Sequence, residues 1–421
     1  MHTYTRRLSA LLAVSALAFG PSAAAAPPQA TQTDAASPLD LAGAIRLALA
    51  QPRLRAAGHE VSASAAALEQ AGRYPNPTLE YLREGEQAGT RTTTIQLNQP
   101  IELGGKRRAR IALAEGEAAL ARVELAALRQ EVRAEVIAAF HGVLVAAERQ
   151  QLAQQLDGLA RRGIEVVARQ VAAGKVAPIE ATRARLAALD AGTELNTATA
   201  ELALARTRLG ALVGRPGEAL ALKAGEDWLP RLPPLAALQA RLADAAPVRR
   251  ARGVLAAQQA QAGVERAARI PDVTLTLGSQ RADEVGRRQA VVGLSLPLPL
   301  FDRNSGRLGA ALRRADKAGD ELLAAETAVA AGLAAAHTRF EAASREATLL
   351  RDDVLPDART NHALTLKGFE HGKFAFIDVL DAQRTLAQAQ ARQWNALLAA
   401  WQAYADIARL AGTATDNEQD D

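Results

Sequence analysis

The chain contains no cysteine, one methionine and few aromatic residues, which make up 3% of its 421 residues. Without cysteine there is no disulfide framework, no thiolate metal site and no cysteine that could carry a lipid. So few aromatic side chains are unusual for a large compact core, whereas the abundant alanine favours helices and lets them approach one another closely. These absences indicate extended helical walls and not a globule around a single core.

Neither sign of charge dominates, since 50 Lys and Arg residues face 46 Asp and Glu residues. A surface of mixed sign lacks the basic footprint of a nucleic-acid-binding protein, so we expect no nucleic-acid partner. The sequence also lacks an HExxH motif, a Cys/His cluster, a nucleophile elbow and a dinucleotide fingerprint. We therefore expect no enzyme activity, no cofactor and no dedicated metal site.

The first residues carry a targeting pattern. Arg6 and Arg7 precede an apolar stretch at 8–19 and a small-residue region at 22–26. The stretch is about a dozen residues, which is too short to span a bilayer as a helix. We predict a signal peptide at 1–26 and an exported mature protein, with an uncleaved anchor as the alternative. The acidic residues 413–421 are predicted to form a disordered tail.

Two halves of the chain repeat the same order of elements, about 197 residues apart. Residues 74–79 recur as 270–275, 100–103 as 297–300, and 174–180 as 372–378. The pattern predicts a first repeat at 38–214 with a β-hairpin at 78–101, and a second repeat at 235–412 with a β-hairpin at 272–298. A linker at 215–234 is predicted to join them. The loops within the two hairpins are predicted at 84–91 and 280–288.

Each hairpin is followed by a long helical hairpin. Residues 106–172 contain no proline, and about 65 helical residues reach near 100 Å. The second long helix, 307–370, contains Pro356, which is predicted to mark a kink or a register break. Tight turns at 172–178 and 371–376 lead into returning helices.

Apolar and polar residues alternate along the hairpin strands, as in a sheet with one apolar face. The second strand of each hairpin has close to the ten residues that a tilted membrane strand needs. One chain supplies four strands, whereas single-chain membrane barrels begin at eight and lipid does not tolerate open sheet edges. Other copies of the chain must then complete a closed sheet, continued by a helical tube. The alternative is a soluble helical bundle that carries two hairpins.

The chain resembles the TolC-type outer-membrane efflux family over essentially its whole mature length. The resemblance rests on the duplication and on four motifs, at 74–77, 270–273, 297–301 and 372–383. Residues 99–107 look most like the CzcC-type branch, which is paired with heavy-metal pumps.

The resemblance implies a mainly α fold with transmembrane β-structure, in which a homotrimer forms a 12-stranded β-barrel and a 12-helix tunnel. It implies a passive channel in the outer membrane of a Gram-negative bacterium, with a long periplasmic extension. Its partners would be outer-membrane lipid, a periplasmic adaptor and an inner-membrane RND-type pump, and its cargo heavy-metal cations. A periplasmic coiled-coil adaptor or stalk is the alternative function.

Acidic residues just past the second tight turn are the principal site prediction. Asp378 and Asp381 are three apart and can share one helix face. The resemblance places such acids at the closed periplasmic end of the tunnel, where three copies would form two carboxylate rings that favour cations. Asp378 would equally serve as a helix cap, with Asp381 in the first turn. Both readings stay open.

Other residues of the two turns complete the predicted site. Glu180 and Arg183 occupy the equivalent positions in the first repeat, and we hypothesise that Arg183 or Lys373 pairs with Asp378, Asp381 or Glu180 to hold the tip shut. Phe369 and Phe374 stand where the family's known lock has other residues, so that lock does not transfer. The exposed tips are predicted to dock an adaptor or simply to plug the turns, and they comprise Val176, Ala177, Pro178, Phe374 and Ala375.

Overall fold

The computed structural model describes residues 38–85, 89–218, 220–225 and 228–411. The predicted signal peptide at 1–26 and the acidic tail at 413–421 lie outside this part of the chain. The described residues are mainly helical and contain one four-stranded antiparallel sheet. None of the helices among them has an apolar run sufficient to cross a membrane.

The first half of the chain runs from two short helices through a hairpin into two long helices. Asp40 begins the first helix, because its Oδ1 accepts a hydrogen bond from the Gly43 N–H at 2.8 Å. Pro52 stands at the first position of the second helix, as its fixed φ and missing N–H favour. The elements are α1 (Leu41–Leu49), α2 (Pro52–Ala71), β1 (Thr78–Glu84), β2 (Thr92–Ile101), α3 (Lys106–Ala172) and α4 (Ile179–Val213).

The second half repeats this order. Its elements are α5 (Leu235–Ala240), a 3₁₀ turn (Leu242–Asp244), α6 (Ala246–Ala267), β3 (Val273–Ala282), β4 (Arg288–Ser295), α7 (Ser305–Leu349), α8 (Leu355–Glu370) and α9 (Phe376–Ala411). The 67 residues of α3 span about 100 Å at 1.5 Å per residue. Residues 305–370 cover nearly the same length.

The second hairpin differs from its predicted bounds. Gln280 and Arg281 pair with Gln289 and Arg288, so β3 continues to Ala282 and the predicted loop at 280–288 was too long at both ends. At the other end the hairpin stops at Ser295, short of residue 298. Pro297 lacks the N–H that a further ladder bond requires.

A π-helical segment separates α7 from α8. It covers Leu350–Val354, and the N–H of Leu355 bonds to the Leu350 carbonyl five residues earlier. Pro356 follows directly, and in an α-helix its ring would clash with the carbonyl of Asp352. The π-helical turn is wider than an α-helical turn and shifts the hydrogen-bond register, so that the Pro356 ring avoids this clash. The predicted register break is confirmed.

The sheet joins both repeats in the order β1-β2-β3-β4. Its central pair, β2 and β3, comes from different repeats and shares ten residue pairs from Thr92↔Ala282 to Ile101↔Val273. Within the described residues β1 and β4 each have one strand neighbour, so one side of each lacks a partner strand. The two repeats therefore form one continuous sheet with two open edges.

The two faces of the sheet differ in chemistry. One row, Leu79–Leu97–Leu277–Val292, crosses all four strands on one face. These side chains are exposed, Val292 by 73%. On the opposite face Glu80 accepts hydrogen bonds from Gln96 at 2.7 Å and Asn98 at 3.1 Å. The predicted apolar and polar faces are confirmed.

Three clusters of buried side chains hold the helices. One includes Phe140 and Leu209 and packs α1 against α3 and α4. Another includes Leu238 and Leu333 and packs α5, α6, α7 and α9. The third joins α3 of the first repeat to α9 of the second and contains Ile137, Leu397 and Trp401, among others. The two repeats therefore share core as well as sheet.

An ion pair also links the repeats where helices meet the sheet. Lys106 at the start of α3 lies 2.8 Å from the carboxylate of Asp272, which precedes β3. The same Asp272 oxygen accepts a hydrogen bond from the Leu103 N–H at 3.1 Å. This carboxylate thereby holds the corner after β2 against the chain that enters β3.

Candidate functional site

Both helical hairpins end in the same backbone motif. In the first repeat the Gly174 N–H bonds to the Val171 carbonyl at 2.9 Å, and the Lys175 N–H bonds to the Gln170 carbonyl at 2.9 Å. These two bonds define a Schellman cap, which requires a left-handed residue at the glycine. Gly174 has a φ of 70°, a conformation open to glycine at little cost.

The second repeat reproduces this cap. The Gly372 N–H bonds to the Phe369 carbonyl at 2.9 Å, and the Lys373 N–H bonds to the Gly368 carbonyl at 2.8 Å. Gly372 has a φ of 73°. The two tips thus share one geometry and differ in the side chains that they present.

Phe374 distinguishes the second tip from the first. Its ring is 50% exposed, and its inner edge lies directly over Gly368 of α8, so closely that a β-carbon on Gly368 would overlap the ring. Val176 stands at the equivalent place in the first tip and is partly buried, while Ala177, Pro178 and Ala375 are exposed. Phe374 therefore both covers its turn and presents apolar surface to solvent.

The predicted acidic residues lie on the first turns of α9. The Asp378 carboxylate accepts a hydrogen bond from the Ala375 N–H at 2.8 Å, which is half of a capping box. Asp378 and Asp381 are both exposed. The cap that Asp378 forms uses one carboxylate oxygen and leaves the negative charge in contact with solvent.

Glu180 and Arg183 bond to each other and not to the acids of the second tip. The Arg183 guanidinium lies 2.8 Å from the Glu180 carboxylate, one turn away on α4. Among the described ion pairs none joins these residues to Asp378 or Asp381, and none includes Lys373. As an exposed pair within one helix it contributes about 0–1 kcal/mol. By itself it does not connect one helix to another.

An open groove lies beyond the acidic residues. It has a volume of about 480 Å³ and runs between α3, α4 and α9. Leu152 and Leu380 provide apolar lining, and Arg149, Asp190 and Glu194 provide charge. The described residues contain no cluster of His, Asp and Glu that could hold a metal ion.

His141 is a buried residue that the sequence analysis did not single out. Its ring stacks on Trp401 with centroids 3.5 Å apart and 10° between the planes. Its Nε2 has no hydrogen-bond partner among the described residues. Burial lowers the pKa of His141 to about 4. A signal was present, because Ala134, Ile137 and His141 follow the spacing of one helix face.

The family follows from comparison with known proteins. A sequence profile described as outer membrane efflux protein matches residues 44–215 and again residues 237–413. The chain belongs to the outer membrane efflux protein family. The predicted family is confirmed, and the chain is an outer-membrane component of an efflux system.

Relatives of this efflux protein come from metal-resistance systems. The cobalt-zinc-cadmium resistance protein CzcC of Cupriavidus metallidurans is 42% identical over 381 residues, which cover 90% of this chain and 91% of that protein. The nickel and cobalt resistance protein CnrC of the same organism is 29% identical and covers 75% of this chain and 72% of its own.

Solved structures share the fold of this efflux protein. The outer-membrane channel OprN matches with a TM-score of 0.75 and 22% identity, over 88% of this chain and 89% of its own. CusC matches with a TM-score of 0.76 and 18% identity, over 89% and 92%. The mainly helical fold with a small antiparallel sheet is thus that of TolC-type channels.

We predict that His141 makes the stability of the protein depend on pH. Its folded pKa lies below the unfolded value near 6.5, so its contribution is fully present above pH 6.5 and is lost as pH falls toward 4. The free energy of unfolding should fall by roughly 2 kcal/mol between pH 7.5 and pH 5 through this residue alone. Chemical unfolding at both pH values, followed by Trp fluorescence, measures it.

The variant His141→Phe keeps an aromatic ring on Trp401 and removes the titrating group. It should lessen the difference between the two pH values by that amount. The control His59→Phe alters an exposed histidine on α2 and should keep the parent's pH profile. Equal pH dependence in the parent and in His141→Phe would show that His141 does not titrate on unfolding.

Proposed function

We propose that three copies of this chain form the outer-membrane duct of a tripartite efflux system that exports divalent heavy-metal cations. Each copy contributes four strands to a 12-stranded barrel and four helical segments to a 12-helix periplasmic tunnel. Residues 38–214 and 235–412 act as two repeats, joined by a linker at 215–234, and each repeat supplies one hairpin. A periplasmic adaptor and an inner-membrane RND-type pump deliver the cargo.

The exposed apolar face of a sheet with two open edges carries this proposal. In water the row Leu79–Leu97–Leu277–Val292 exposes a large contiguous apolar surface. In lipid that face is favourable, but the unpaired N–H and C=O groups of β1 and β4 are not. Lipid covers the apolar face, and pairing β4 of one copy with β1 of the next satisfies the N–H and C=O groups at the edges. A stalk protein in the periplasm would have no use for such a face.

The direction of the helices supports the tunnel. An antiparallel hairpin returns the chain to the end of the sheet at which it entered. The helices α2, α3, α6 and α7 therefore all meet the same end of the sheet. A helix of about 100 Å then carries each wall well away from the membrane. The two tips lie at the far ends of these walls, where a periplasmic partner meets them.

The proposed cargo rests on two arguments, one from sequence similarity and one from the ion-binding chemistry that a duct requires. The strong likeness to a cobalt-zinc-cadmium resistance protein supports divalent metal cations. A duct needs no ligand cluster for these ions, because tight binding would slow their release. Weak negative charge along the wall of the duct is sufficient to favour the passage of cations.

Deleting the gene in its native host should test the cargo and the system. We expect a several-fold fall in the tolerated concentrations of Co²⁺, Zn²⁺ and Cd²⁺, restored by the parent gene, because the proposed pump loses its duct across the outer membrane. Tolerance to organic drugs should be unchanged and serves as the control. Drug sensitivity without metal sensitivity would assign a different cargo, and a soluble periplasmic location on fractionation would favour an adaptor.

Asp378 and Asp381 form two carboxylate rings at the tunnel end in this proposal. Their exposure and their place beside the tip support it. The cap at Ala375 fixes the position of Asp378 without neutralising it. Arg183, held by Glu180, and Lys373 adjust the net charge nearby and contribute to closing the end.

Replacing both acids should reduce cation preference. In planar bilayers Asp378→Asn/Asp381→Asn should lower the cation-to-anion permeability ratio several-fold, because six carboxylates are lost from the rings of three copies. The reversal potential under a salt gradient measures the ratio. Asp316→Asn/Asp320→Asn on α7 removes the same charge at a distance from the tip and is the control. A ratio equal to the parent's in the tip variant would rule out the rings.

The second tip docks the adaptor through Phe374 in this proposal. A half-exposed aromatic ring on a rigid Schellman cap is pre-organised for burial against a partner. Ala375 extends the surface at this tip. Val176, Ala177 and Pro178 offer a smaller apolar contact at the first tip.

The variant Gly368→Ala should displace the Phe374 ring without altering Phe374 itself. A β-carbon at Gly368 overlaps the ring, so the ring must leave its site and adaptor affinity should fall about tenfold, equivalent to 1.4 kcal/mol. Binding of the cognate adaptor to immobilised channel measures this. Gly309→Ala on α7 meets no atom within 4 Å and is the control. If Gly368→Ala and Phe374→Ala both bind as the parent does, the ring plugs its turn and does not dock.

A further inference from the structure

Four helix ends meet the sheet at one level of the molecule. The Arg107 Nε donates to the Gly72 carbonyl at 2.7 Å, which sets the start of α3 against the end of α2. The Asn304 Nδ2 donates to the Glu265 carbonyl at 2.8 Å, which sets the start of α7 against the end of α6. Gly104 lies against Ile270, so the two halves also meet here.

Basic residues outnumber acidic ones at this level. Ranges 69–73, 102–110, 265–272 and 302–307 contain nine Lys and Arg residues and five Asp and Glu residues. The acidic side chains are already engaged, in the pairs Glu69–Arg73, Glu102–Arg110, Asp272–Lys106, Asp302–Arg307 and Glu265–Asn304. The four ion pairs take four of the nine basic residues, so five basic residues face one remaining carboxylate, that of Glu265, which bonds to a neutral amide. A net positive charge therefore stays uncompensated at this level.

Four exposed arginines carry this excess, and we call them the cationic belt: Arg108, Arg266, Arg269 and Arg303. Among the described residues none of them has a carboxylate within the 4.0 Å of an ion pair. Arg107 is occupied differently, since its guanidinium lies over the Tyr74 ring at 4.7 Å.

Exposed apolar side chains lie beside the cationic belt, toward the sheet. Phe301 is 99% exposed, Tyr74 73% and Leu298 70%. Aromatic and apolar groups next to unpaired cations match the boundary of a bilayer, where acyl chains give way to headgroups. The position agrees with a sheet whose apolar face lies in hydrocarbon.

Other copies of the chain do not supply the missing negative charge. Copies arranged in a ring around one axis place the same residues at the same level. Each copy brings the same excess of basic residues, so the ring as a whole is cationic. The countercharge must come from another kind of molecule.

We propose that the cationic belt binds the phosphate headgroups of anionic phospholipids in the leaflet that borders the helices. The inference rests on the membrane location of the proposed function. It adds a lipid preference that neither the apolar face nor the duct requires. Arginine suits this role because its planar guanidinium donates two parallel hydrogen bonds to phosphate.

Electron paramagnetic resonance of spin-labelled lipids tests the proposal. The full mature chain is reconstituted in phosphatidylcholine vesicles with trace spin-labelled phosphatidylglycerol or phosphatidylcholine. We expect the motionally restricted fraction to favour phosphatidylglycerol roughly fivefold. In 1 M salt, where the screening length is about 3 Å, this preference should largely vanish.

The quadruple variant R108Q/R266Q/R269Q/R303Q should bring the two lipids to equal association. R162Q/R185Q/R345Q/R359Q removes the same charge from exposed helical positions far from the sheet and should keep the parent's preference. If the belt variant does not assemble, the parent alone still tests the proposal, because equal association of both lipids at low salt would overturn it.

Two results would overturn the proposal. One is equal association of both lipids with a parent protein that conducts ions, and the other is a lipid preference that survives in the belt variant. If the cation-to-anion permeability of that variant also changes, the arginines lie in the lumen. A parent chain that does not enter bilayers at all would overturn the proposed function and this inference with it.

Discussion

The rest of the structure depends on one constraint: backbone polar groups that face hydrocarbon must be hydrogen-bonded. Four strands with an apolar face satisfy that constraint in their interior, where β2 and β3 pair over ten residues. They leave it unsatisfied at β1 and β4. In a single copy the open edges favour water, whereas the apolar face favours lipid. Assembly with identical copies resolves both, since each new edge contact also extends the apolar band.

The junction between the sheet and the helices imposes a second constraint, which concerns the polar groups at the helix ends. Each hairpin returns the chain to the level it left, so helix ends crowd together at one end of the sheet. Their polar groups need partners there, and the Lys106–Asp272 pair supplies one across the repeats. The buried stack of His141 on Trp401 ties the same two repeats further along the helices. The repeats are therefore halves of one folding unit, although each has its own hairpin.

Local signals predicted much of this architecture. Alternating apolar residues indicated the strands, the absence of proline predicted α3, and Gly174 and Gly372 indicated the turns. The rest depends on pairing between distant residues. Whether β3 ends before Gln280 or continues to Ala282 is decided by the strands opposite it. The partners of Asp272 and His141 lie 166 and 260 positions away. The tip residues were predicted from motif and position, and the Arg183–Glu180 pair was one of the hypothesised pairings.

Divergence of the two repeats has a structural consequence for any ring of copies. The caps at Gly174 and Gly372 share their hydrogen bonds, but only the second tip carries an aromatic ring and two exposed acids. The first tip carries Val176 and a salt-bridged Glu180 in their place. Tips of the two kinds must then alternate around the ring. A partner that recognises Phe374 meets that ring once per copy, and any acidic charge from Asp378 and Asp381 is confined to alternate hairpins. In the proposed tube the duplication supplies equal walls, and the sequence differences at the turns assign recognition and charge to the second tip of each copy.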